Sequence, residues 1–426
     1  MQRRQFVKGA GSGAVLGTVV TLSGCATVGG SGAKVVVVGG GYGGATAAKY
    51  IRMWSDYGIE VTLVEPNPSF ISCPISNLVV GGVKTIGDIT TPYDNLSKRH
   101  GVRMVRDMVT SIDPDKRVVQ LASGATLPYD RLVVSPGVDF MWETLPGMAS
   151  AAAKDKVLHA WKAGAQTVAL RKQLESIPDG GVYALSIPLA PYRCPPGPYE
   201  RACQVANYFS KAKPKSKVII LDANDDVTSK GPLFKKAWAE RYKGIVEYRP
   251  KHTVTDVDVG GSALKFEFND DVKANVLNVI PAMRAGEIAV KAGLATANKR
   301  WCEVDFLTFE SKAAKNIHVL GDSIQIAPAM PKSGHMANQH GKTCAAAVVA
   351  LLTGKEPNAM PVYNNTCYSF VSEEDVVHVA SVHRYDPEKK TMVTVAGSGG
   401  LSSAANELEG RYAMAWARNI WADTLA

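Results

Sequence analysis

The chain has 426 residues, of which 46% are hydrophobic and 20% are charged. This length predicts two or three domains with an ample core, and the composition excludes a disordered chain, a coiled coil and a small disulfide-stapled protein. The formal net charge of +9 would allow a nucleic-acid or anionic-membrane partner. The lysines and arginines are scattered without a basic block, however, so we expect no nucleic-acid partner.

The first 25 residues are typical of an export signal. Residues 3–8 resemble the twin-arginine consensus, and the apolar run of residues 9–24 is too short and too weakly hydrophobic for a membrane span. We therefore predict that residues 1–32 are a twin-arginine signal and linker, and that the protein is periplasmic, exported with a prosthetic group already inserted. Residues 22–25 resemble a lipobox, which makes Cys25 a candidate lipid anchor that would tether the protein to the membrane.

The cysteines and histidines predict no metal centre. The seven cysteines are Cys25, Cys73, Cys194, Cys203, Cys302, Cys344 and Cys367. An oxidising compartment permits a disulfide among the last six, although their spacing does not choose a pairing. The chain has no Cys-x-x-Cys-His motif, so we expect no c-type haem of its own, and no spacing is typical of zinc.

A dinucleotide-binding turn follows the signal. Residues 34–38 are a β-branched run typical of a strand that is buried on both faces of a parallel sheet. They lead into a G-x-G-x-x-G turn and an Ala-rich helical stretch. In such a turn Gly39 permits the tight bend, Gly41 lets the backbone approach a pyrophosphate, and Gly44 lets helix and strand pack closely. Glu65 ends the second predicted strand, 26 residues after Gly39, where an acid accepts hydrogen bonds from ribose hydroxyls.

Two later segments favour FAD as the dinucleotide. Residues 316–322 form a short apolar strand ending in Gly-Asp, a pattern that in two-dinucleotide flavoproteins brings the aspartate, here Asp322, to the ribityl chain. Residues 331–334 then begin a long helix whose N-terminus, with Lys332 nearby, would face the flavin pyrimidine. Residues 131–137 resemble the strand and Gly turn that connect the two nucleotide domains.

A second Rossmann-like unit lacks its phosphate loop. Residues 181–187, 200–209 and 217–222 form a strand, a helix and a strand that ends in an acid. Between strand and helix, a proline-rich segment stands where a glycine-rich loop belongs. Proline has no N–H to donate to a phosphate, and its ring blocks close backbone approach. We infer that this domain does not bind NAD(P)H.

That loop carries Cys194 just ahead of a helix N-terminus. The helix dipole and Arg193 would favour its thiolate, which is the nucleophilic form, although a buried inert thiol is the alternative. Glu200, in the first helical turn, is either a proton acceptor or a favourable N-terminal charge.

These residues together resemble the flavoprotein subunit of flavocytochrome c sulfide dehydrogenase, over nearly all of the chain from Val35 onward. The shared stretches are residues 35–50, Cys73 with Ser76 and Asn77, residues 193–201, Trp301 with Cys302, residues 331–334 and residues 366–369. The resemblance implies that Cys73 bonds covalently to FAD. It also implies that Cys194 and Cys367 form a redox-active disulfide beside the flavin, with Glu200 and Trp416 in the same pocket. Pro74, directly after Cys73, departs from the family pattern, as does the lipobox.

The family implies an α/β fold of the glutathione-reductase type, with two Rossmann-like three-layer domains and a C-terminal α+β domain. We expect an FAD domain at residues 33–147 and 286–355, a second Rossmann-like domain at residues 148–285 and a C-terminal domain at residues 356–426. The expected activity is FAD-dependent oxidation of sulfide to sulfur or polysulfide, with electrons passed to a separate c-type cytochrome subunit in a heterodimer. The alternative is a sulfide:quinone oxidoreductase. Charged residues interspersed along the tail from residue 407 to 426 favour a docked helix over one inserted in a bilayer.

Overall fold

The computed structural model describes residues 32–426, and the predicted export signal with Cys25 lies outside the described residues. The α-helices of this part are α1 (Tyr42–Trp54), α2 (Ser76–Gly81), α3 (Asp94–Lys98), α4 (Ala151–Lys156), α5 (Ala165–Ser176), α6 (Gly197–Ala212), α7 (Gly231–Arg241), α8 (Glu287–Lys291), α9 (Gly334–Leu352) and α10 (Glu407–Leu425).

The strands of the first half are β1 (Lys34–Val38), β2 (Glu60–Val64), β3 (Ser69–Ile71), β4 (Thr90–Pro92), β5 (Arg103–Val105), β6 (Val109–Asp113), β7 (Val118–Leu121), β8 (Thr126–Pro128), β9 (Arg131–Val134), β10 (Val138–Phe140), β11 (Val182–Ile187) and β12 (Lys217–Asp222). Those of the second half are β13 (Val246–Arg249), β14 (Val254–Asp258), β15 (Ala263–Phe266), β16 (Val272–Lys273), β17 (Val276–Val279), β18 (Met283–Ala285), β19 (Ile317–Val319), β20 (Val362–Phe370), β21 (Val376–Asp386), β22 (Thr391–Thr394) and β23 (Gly400–Leu401).

The first sheet is parallel and has the strand order β19-β9-β1-β2-β5. Its central strand β1 is the predicted β-branched run, and four of its five residues are buried. Strand β19 comes from far downstream in the chain and pairs with β9. Because the carboxyl ends of parallel strands meet at one edge of a sheet, this pairing brings the Gly-Asp segment after β19 next to the glycine turn after β1.

The second sheet is also parallel, with the order β13-β12-β11-β17. The predicted strand-helix-strand unit is present as β11, α6 and β12. Helix α6 begins at Gly197, three residues earlier than expected, since Pro198 in its first turn has no N–H that needs a partner. The strands of each expected domain pair among themselves, apart from β10 with β18 at the boundary. The residue limits of the domains stay predictions.

The C-terminal segment is an antiparallel sheet of β20, β21 and β22, with β23 added to β21, covered by α10. Polar contacts fix the end of this helix to α1 and α9: Asp423 accepts hydrogen bonds from Tyr50 and Asn338 and forms an ion pair with Lys342. An apolar cluster also joins α2 to β20 and α10. Within residues 32–426, none of the helices combines the length and apolar character needed to cross a bilayer.

Candidate functional site

A cavity of about 1020 Å³ lies where the three parts of the fold meet, a size at the upper end for pockets that hold a cofactor. Most of the residues that the sequence singled out line it: Gly39, Gly41, Glu65, Cys73, Cys194, Glu200, Asp322, Cys367 and Trp416. Gly44 and Lys332 are not among the lining residues. The glycine turn near residue 39 and the segments from Asp322 onward are separated by more than half of the chain. The fold brings them together around one cavity.

The glycine turn has the geometry that a bound dinucleotide needs. Gly39 has a φ of +95°, and a Cβ on Gly44 would lie 1.9 Å from the carbonyl oxygen of Gly39, so neither position tolerates a side chain. Gly44 thus packs helix against strand and does not face the cavity. A Cβ on Gly41, at the start of α1, would meet no atom within 4 Å. This open helix N-terminus fits the pyrophosphate of FAD.

Glu65 orders the glycine turn from the end of β2. Its Oε2 accepts a hydrogen bond from the backbone N–H of Gly40 at 2.7 Å, and its Oε1 accepts two from Asn67. A carboxylate has about four acceptor sites, so lone pairs stay available for the ribose hydroxyls of a dinucleotide. Glu65 is therefore suited both to hold the turn and to bind the ribose.

Lys332 lies next to the N-terminus of α9, as expected, but its side chain does not line the cavity, so a role at the flavin stays a prediction. Its ammonium points behind the cavity wall, where it donates hydrogen bonds to the carbonyl oxygens of Asp322 and Ile324 and lies 3.6 Å from the ring centroid of Trp301. Two carbonyls and an indole face satisfy the buried ammonium. Burial lowers the pKa of Lys332 to about 7. The N-terminus of α9 itself does face the cavity, through Ser333, Gly334 and His335.

Asp322 lies on the cavity side of this segment. Burial raises the pKa of its carboxyl, and the positive charges of Arg193 and Lys332 oppose that rise. The aspartate thus sits at the wall formed by the turn after β19, as the Gly-Asp pattern predicts for a residue near a ribityl chain.

Cys194 and Cys367 line the same cavity from opposite elements, the loop before α6 and the middle of β20. The backbone N–H of Cys194 donates to the carbonyl of Lys332 at 2.8 Å, which fixes the loop against the start of α9. A Cβ on Gly197 would lie 2.8 Å from the Cys194 Sγ, so only glycine leaves room for the thiol there. All six described cysteines, including this pair, are thiols in the structure.

Burial opposes the Cys194 thiolate that the sequence predicts, so the thiolate stays a prediction. Burial raises the pKa of its thiol strongly, and a negative charge on Cys367 or Glu200 raises that pKa further. Arg193 and Lys230 act in the opposite direction but do not overcome the loss of hydration. The Arg193 effect that the sequence indicates is real, and desolvation outweighs it.

Glu200 is held in the buried end of the cavity. Its Oε1 accepts a hydrogen bond from the backbone N–H of Phe370 at 2.9 Å, and its Oε2 accepts one from the Asn77 side chain at 2.8 Å. Burial raises the pKa of its carboxyl, while these hydrogen bonds and the charges of Lys230 and Arg201 oppose the rise. A buried carboxyl with a raised pKa beside two thiols is suited to exchange protons, so its position favours a proton acceptor over a simple helix N-terminal charge.

Cys73 faces the cavity although Pro74 follows it. Its Sγ accepts a hydrogen bond from the backbone N–H of Ala163 at 3.4 Å. The loop is closed by side-chain bonds from Ser72 to the Pro74 carbonyl and from Ser76 to the Cys73 carbonyl. The proline therefore does not turn the thiol away from the site.

Several site residues lie where sequence reasoning found no signal. Lys230, before α7, stands between ordinary loop residues. His335 lines the cavity, with its ring centroid 5.7 Å from that of Trp416. Cys203 and Cys344 are buried in helices. Among residues 32–426 there is no cluster of His, Cys, Asp or Glu that could hold a metal ion.

In the second Rossmann-like unit, the acid at the end of β12 is already occupied. One oxygen of Asp222 accepts hydrogen bonds from Tyr199 at 2.7 Å and Tyr248 at 3.0 Å, and the other accepts from Asn224. In a nicotinamide site an acid at this position binds a ribose. Here the hydroxyl groups of Tyr199 and Tyr248 donate to the acid where the ribose hydroxyls would otherwise bind.

Comparison with known families gives the identity of the chain. Residues 167–281 match the central domain of the sulfide dehydrogenase (flavocytochrome c) flavoprotein chain, and residues 359–425 match the flavin-binding domain of flavocytochrome c sulphide dehydrogenase. Residues 33–180 match the pyridine nucleotide-disulphide oxidoreductases. A segment of 46 residues is 61% identical to the sulfide dehydrogenase (flavocytochrome c) flavoprotein chain of Chlorobaculum thiosulfatiphilum, covering 11% of this chain and 94% of that sequence. The chain belongs to this family.

More distant relatives share the fold. A mitochondrial sulfide:quinone oxidoreductase of Dictyostelium discoideum is 24% identical over 304 residues, or 68% of this chain and 65% of the relative, so the match stops short of that protein's full length. The crystal structure of the sulfide:quinone oxidoreductase from Aquifex aeolicus superposes with a TM-score of 0.74 at 19% identity, over 92% of this chain and 91% of that one. The predicted family, fold class and enzyme class are confirmed: the chain is an FAD-type oxidoreductase of a sulfide-oxidising family.

Proposed function

We propose that the protein oxidises sulfide to polysulfide through a redox-active disulfide between Cys194 and Cys367, and passes the electrons to a separate c-type cytochrome subunit. The observation that carries this proposal is that both thiols, from distant segments, line one cavity together with Cys73, the open N-terminus of α1 and the Asp322 turn. Both carboxylate oxygens of Asp222 already accept hydrogen bonds from protein groups, which supports an electron acceptor other than a nicotinamide.

The sulfur chemistry balances with two hydrosulfide ions. The first attacks the disulfide, which breaks one S–S bond and forms another, so that one cysteine carries a persulfide and the other is a thiolate. The second attacks the outer sulfur of the persulfide and leaves with it as hydrodisulfide. The reduced cysteine pair then gives up two electrons and one proton overall and returns to the disulfide.

Glu200 is the carboxyl that we propose takes part in the proton transfers. It lies close enough to both cysteines for its charge to affect the pKa of each. The N–H groups of Phe370 and Asn77 hold its two oxygens in place. Removing the proton from a thiol that burial keeps protonated is the task such a base would perform.

FAD fits this cavity, with Gly39, Gly41, Glu65, Asp322 and the N-terminus of α9 as its binding groups and Cys73 as the covalent attachment. When bound, it supplies an acceptor of two electrons that can release them singly, as one-electron transfer to a haem requires. Trp416, which lines the same space between His335 and Tyr368, is placed to cover the site from the C-terminal helix.

We further propose that the protein works in the periplasm after export by the twin-arginine route, as a heterodimer with the cytochrome. If Cys25 is lipidated, the complex is tethered to the membrane. Reduction of membrane quinone is the alternative route for the electrons. The polar anchoring of α10 at Asp423 favours a docked tail and hence the cytochrome route.

A steady-state assay tests the proposal. The flavin-loaded protein is supplied with sulfide and either cytochrome c or a short-chain quinone. We expect sulfide-dependent reduction of the cytochrome, and its loss in Cys194→Ser and Cys367→Ser. Cys203→Ala, which changes a cysteine buried in α6 away from the cavity, is the matched control and should retain activity. Full activity in Cys194→Ser would show that the disulfide takes no part in the mechanism. Faster reduction of the quinone than of cytochrome c would show that quinone is the electron acceptor.

Intact-mass spectrometry under denaturing conditions tests attachment and processing together. We expect a polypeptide without its signal that carries the mass of one FAD, and loss of that mass in Cys73→Ser. A lipid mass on a chain that begins at Cys25 would show the anchor. A wild-type chain of bare polypeptide mass would overturn the covalent link.

A further inference from the structure

Lys230 is a buried lysine that contacts the main chain of Cys367, one of the cavity-lining cysteines. It precedes α7, only 4% of its surface is exposed, and its backbone is left-handed with a φ of +57°. Lysine is rarely buried and non-glycine residues seldom adopt this backbone. Such a combination persists only where the surroundings enforce it, and functional sites are where it is commonly found.

The ammonium of Lys230 is held entirely by neutral acceptors. It donates hydrogen bonds to the carbonyl of Cys367 at 2.8 Å, to the hydroxyl of Ser369 at 2.7 Å and to the carbonyl of Val377 at 3.3 Å. Among residues 32–426, no carboxylate oxygen lies within 4.0 Å of it. A buried cation without an ion pair is unfavourable. The site therefore contains a positive charge that still needs a negative partner.

The groups that act on this charge are the two cysteines and two carboxyls. Burial lowers the pKa of Lys230 to about 8, and Cys367, Glu200, Cys194 and Glu409 each oppose the fall, with Cys367 the strongest. At neutral pH the lysine is therefore mainly charged. The thiolate that forms when the disulfide opens adds a negative charge next to this lysine, closer in effect than those of Glu200 and Glu409.

The two cysteines are not equivalent in their surroundings. Burial raises the pKa of Cys367, and the strongest opposing influence is Lys230, followed by hydrogen bonds from Asn365 and Ser333. The Asn365 amide lies 3.4 Å from the Cys367 Sγ. The strongest neighbours of Cys194 after burial are instead the negative charges of Cys367 and Glu200.

We propose that Lys230 is the counter-charge of the Cys367 thiolate, and that it thereby makes Cys367 the leaving sulfur and Cys194 the bearer of the persulfide. Hydrosulfide attacks the Sγ of Cys194, the bond between the two Sγ atoms breaks, and its electron pair goes to Cys367. The hydrogen of the hydrosulfide stays on the new persulfide, so atoms and charge balance. This inference rests on the proposed function for its second half, whereas the pairing of Lys230 with Cys367 does not.

A purely structural role is the competing explanation, since Lys230 also connects α7 to β20 and β21. Lys213 provides a matched control. Its ammonium also donates three hydrogen bonds to neutral acceptors, here the main-chain carbonyls of Leu174, Glu175 and Ile177, and Lys213 does not line the cavity. Lys230→Met and Lys213→Met each lose three hydrogen bonds, but only the first removes a charge beside a cysteine.

Alkylation of the reduced holoprotein tests the pairing without sulfide. The protein is reduced with dithionite under anaerobic conditions, treated with iodoacetamide between pH 6 and 9.5, and mapped by peptide mass spectrometry. Because only the thiolate reacts, and one unit of pKa changes the thiolate fraction about tenfold, we expect the Cys367 rate near neutral pH to fall about tenfold or more in Lys230→Met. Lys213→Met and the charge-retaining Lys230→Arg should keep the wild-type rate of Cys367.

An unchanged Cys367 profile in Lys230→Met would overturn the proposal, even if the variant were less stable. If that variant fails to fold, the alkylation rates of the two cysteines in the wild-type protein test the pairing. Faster alkylation of Cys194 than of Cys367 across the pH range would contradict it. Rapid quenching of the oxidised protein with sulfide then locates the persulfide. Persulfide on Cys194 supports the assignment, persulfide on Cys367 refutes it, and persulfide on neither refutes the sulfide chemistry itself.

Discussion

Arg201 offers the sharpest test of how the site is supported. This arginine is only 1% exposed, and it donates hydrogen bonds to the Asn77 and Asn278 side chains and to the carbonyls of His159 and Ala160 at distances of 2.7–3.0 Å. By fixing the Asn77 oxygen, it orients the Asn77 amide toward Glu200. Arg201→Met keeps an unbranched, somewhat shorter side chain and removes every donor.

The expected loss in the free energy of unfolding follows from the hydrogen-bond acceptors that Arg201→Met leaves behind. The His159 carbonyl and the Asn278 oxygen keep a second donor, from Asn278 and Tyr183 respectively. The Asn77 oxygen and the Ala160 carbonyl have no other hydrogen-bond donor among residues 32–426. Two buried acceptors without a donor, at about 1–3 kcal/mol each, predict a fall of about 2–6 kcal/mol in the free energy of unfolding.

Chemical denaturation of the holoprotein, followed by tryptophan fluorescence, measures this loss. Arg241→Met is the control: Arg241 forms a partly exposed ion pair with Asp375, and its removal should change the free energy by less than about 1 kcal/mol. We also expect Arg201→Met to reduce sulfide turnover in the fraction that stays folded, because Asn77 no longer holds Glu200. A change as small as that of the control would refute the account of the buried network.

Three further outcomes follow from the same geometry. Gly41→Val should fold normally but lose bound flavin, measured as flavin absorbance per polypeptide; a full flavin content would show that the turn does not hold the cofactor. Lys332→Met should remove a pH dependence of the free energy of unfolding. The pKa of Lys332 is about 7 in the folded protein and 10.5 for the free side chain, so between these pH values the lysine is protonated in the unfolded chain but not in the folded one. Wild-type stability should thus rise by up to about 5 kcal/mol relative to the variant between pH 7 and 10.5, and parallel profiles would contradict this. Cys203 and Cys344, whose pKa values burial raises, should resist alkylation in the native protein and react only after unfolding, as peptide mapping can show.

The features that sequence predicts well are those whose chemistry is local. The glycine turn, the strand before it and the acid after β2 lie within about one supersecondary unit, and each role follows from backbone geometry. The proline-rich loop likewise shows its lack of phosphate-binding N–H groups in the sequence itself. The meeting of Cys194 with Cys367 is different, because it came only from a family resemblance. No periodicity relates a loop before α6 to the middle of β20.

What the sequence could not supply is the balance between charge and burial. Arg193 and a helix N-terminus next to Cys194 indicate a thiolate, and those influences are present, but the loss of hydration is larger. Lys332 stands beside the correct helix and turns away from the cavity, because carbonyls and the Trp301 face accept its ammonium. Lys230 has a sequence context like that of a surface loop. Its importance depends on three acceptors that tertiary packing supplies.

In the mechanism proposed here, the second Rossmann-like unit provides a sulfur site in place of a dinucleotide site without a change of fold. Tyr199, which follows the proline-rich loop in α6, donates a hydrogen bond to Asp222, the acid that would otherwise bind a ribose. The same loop delivers Cys194 to the cavity, and Glu200 follows six residues later in the first turn of α6. A reductant that reaches this place therefore needs no binding surface for a nucleotide. In the proposed mechanism the reductant is small enough to enter beside the two half-buried thiols, and the negative charge that forms there is the one that Lys230 would stabilise.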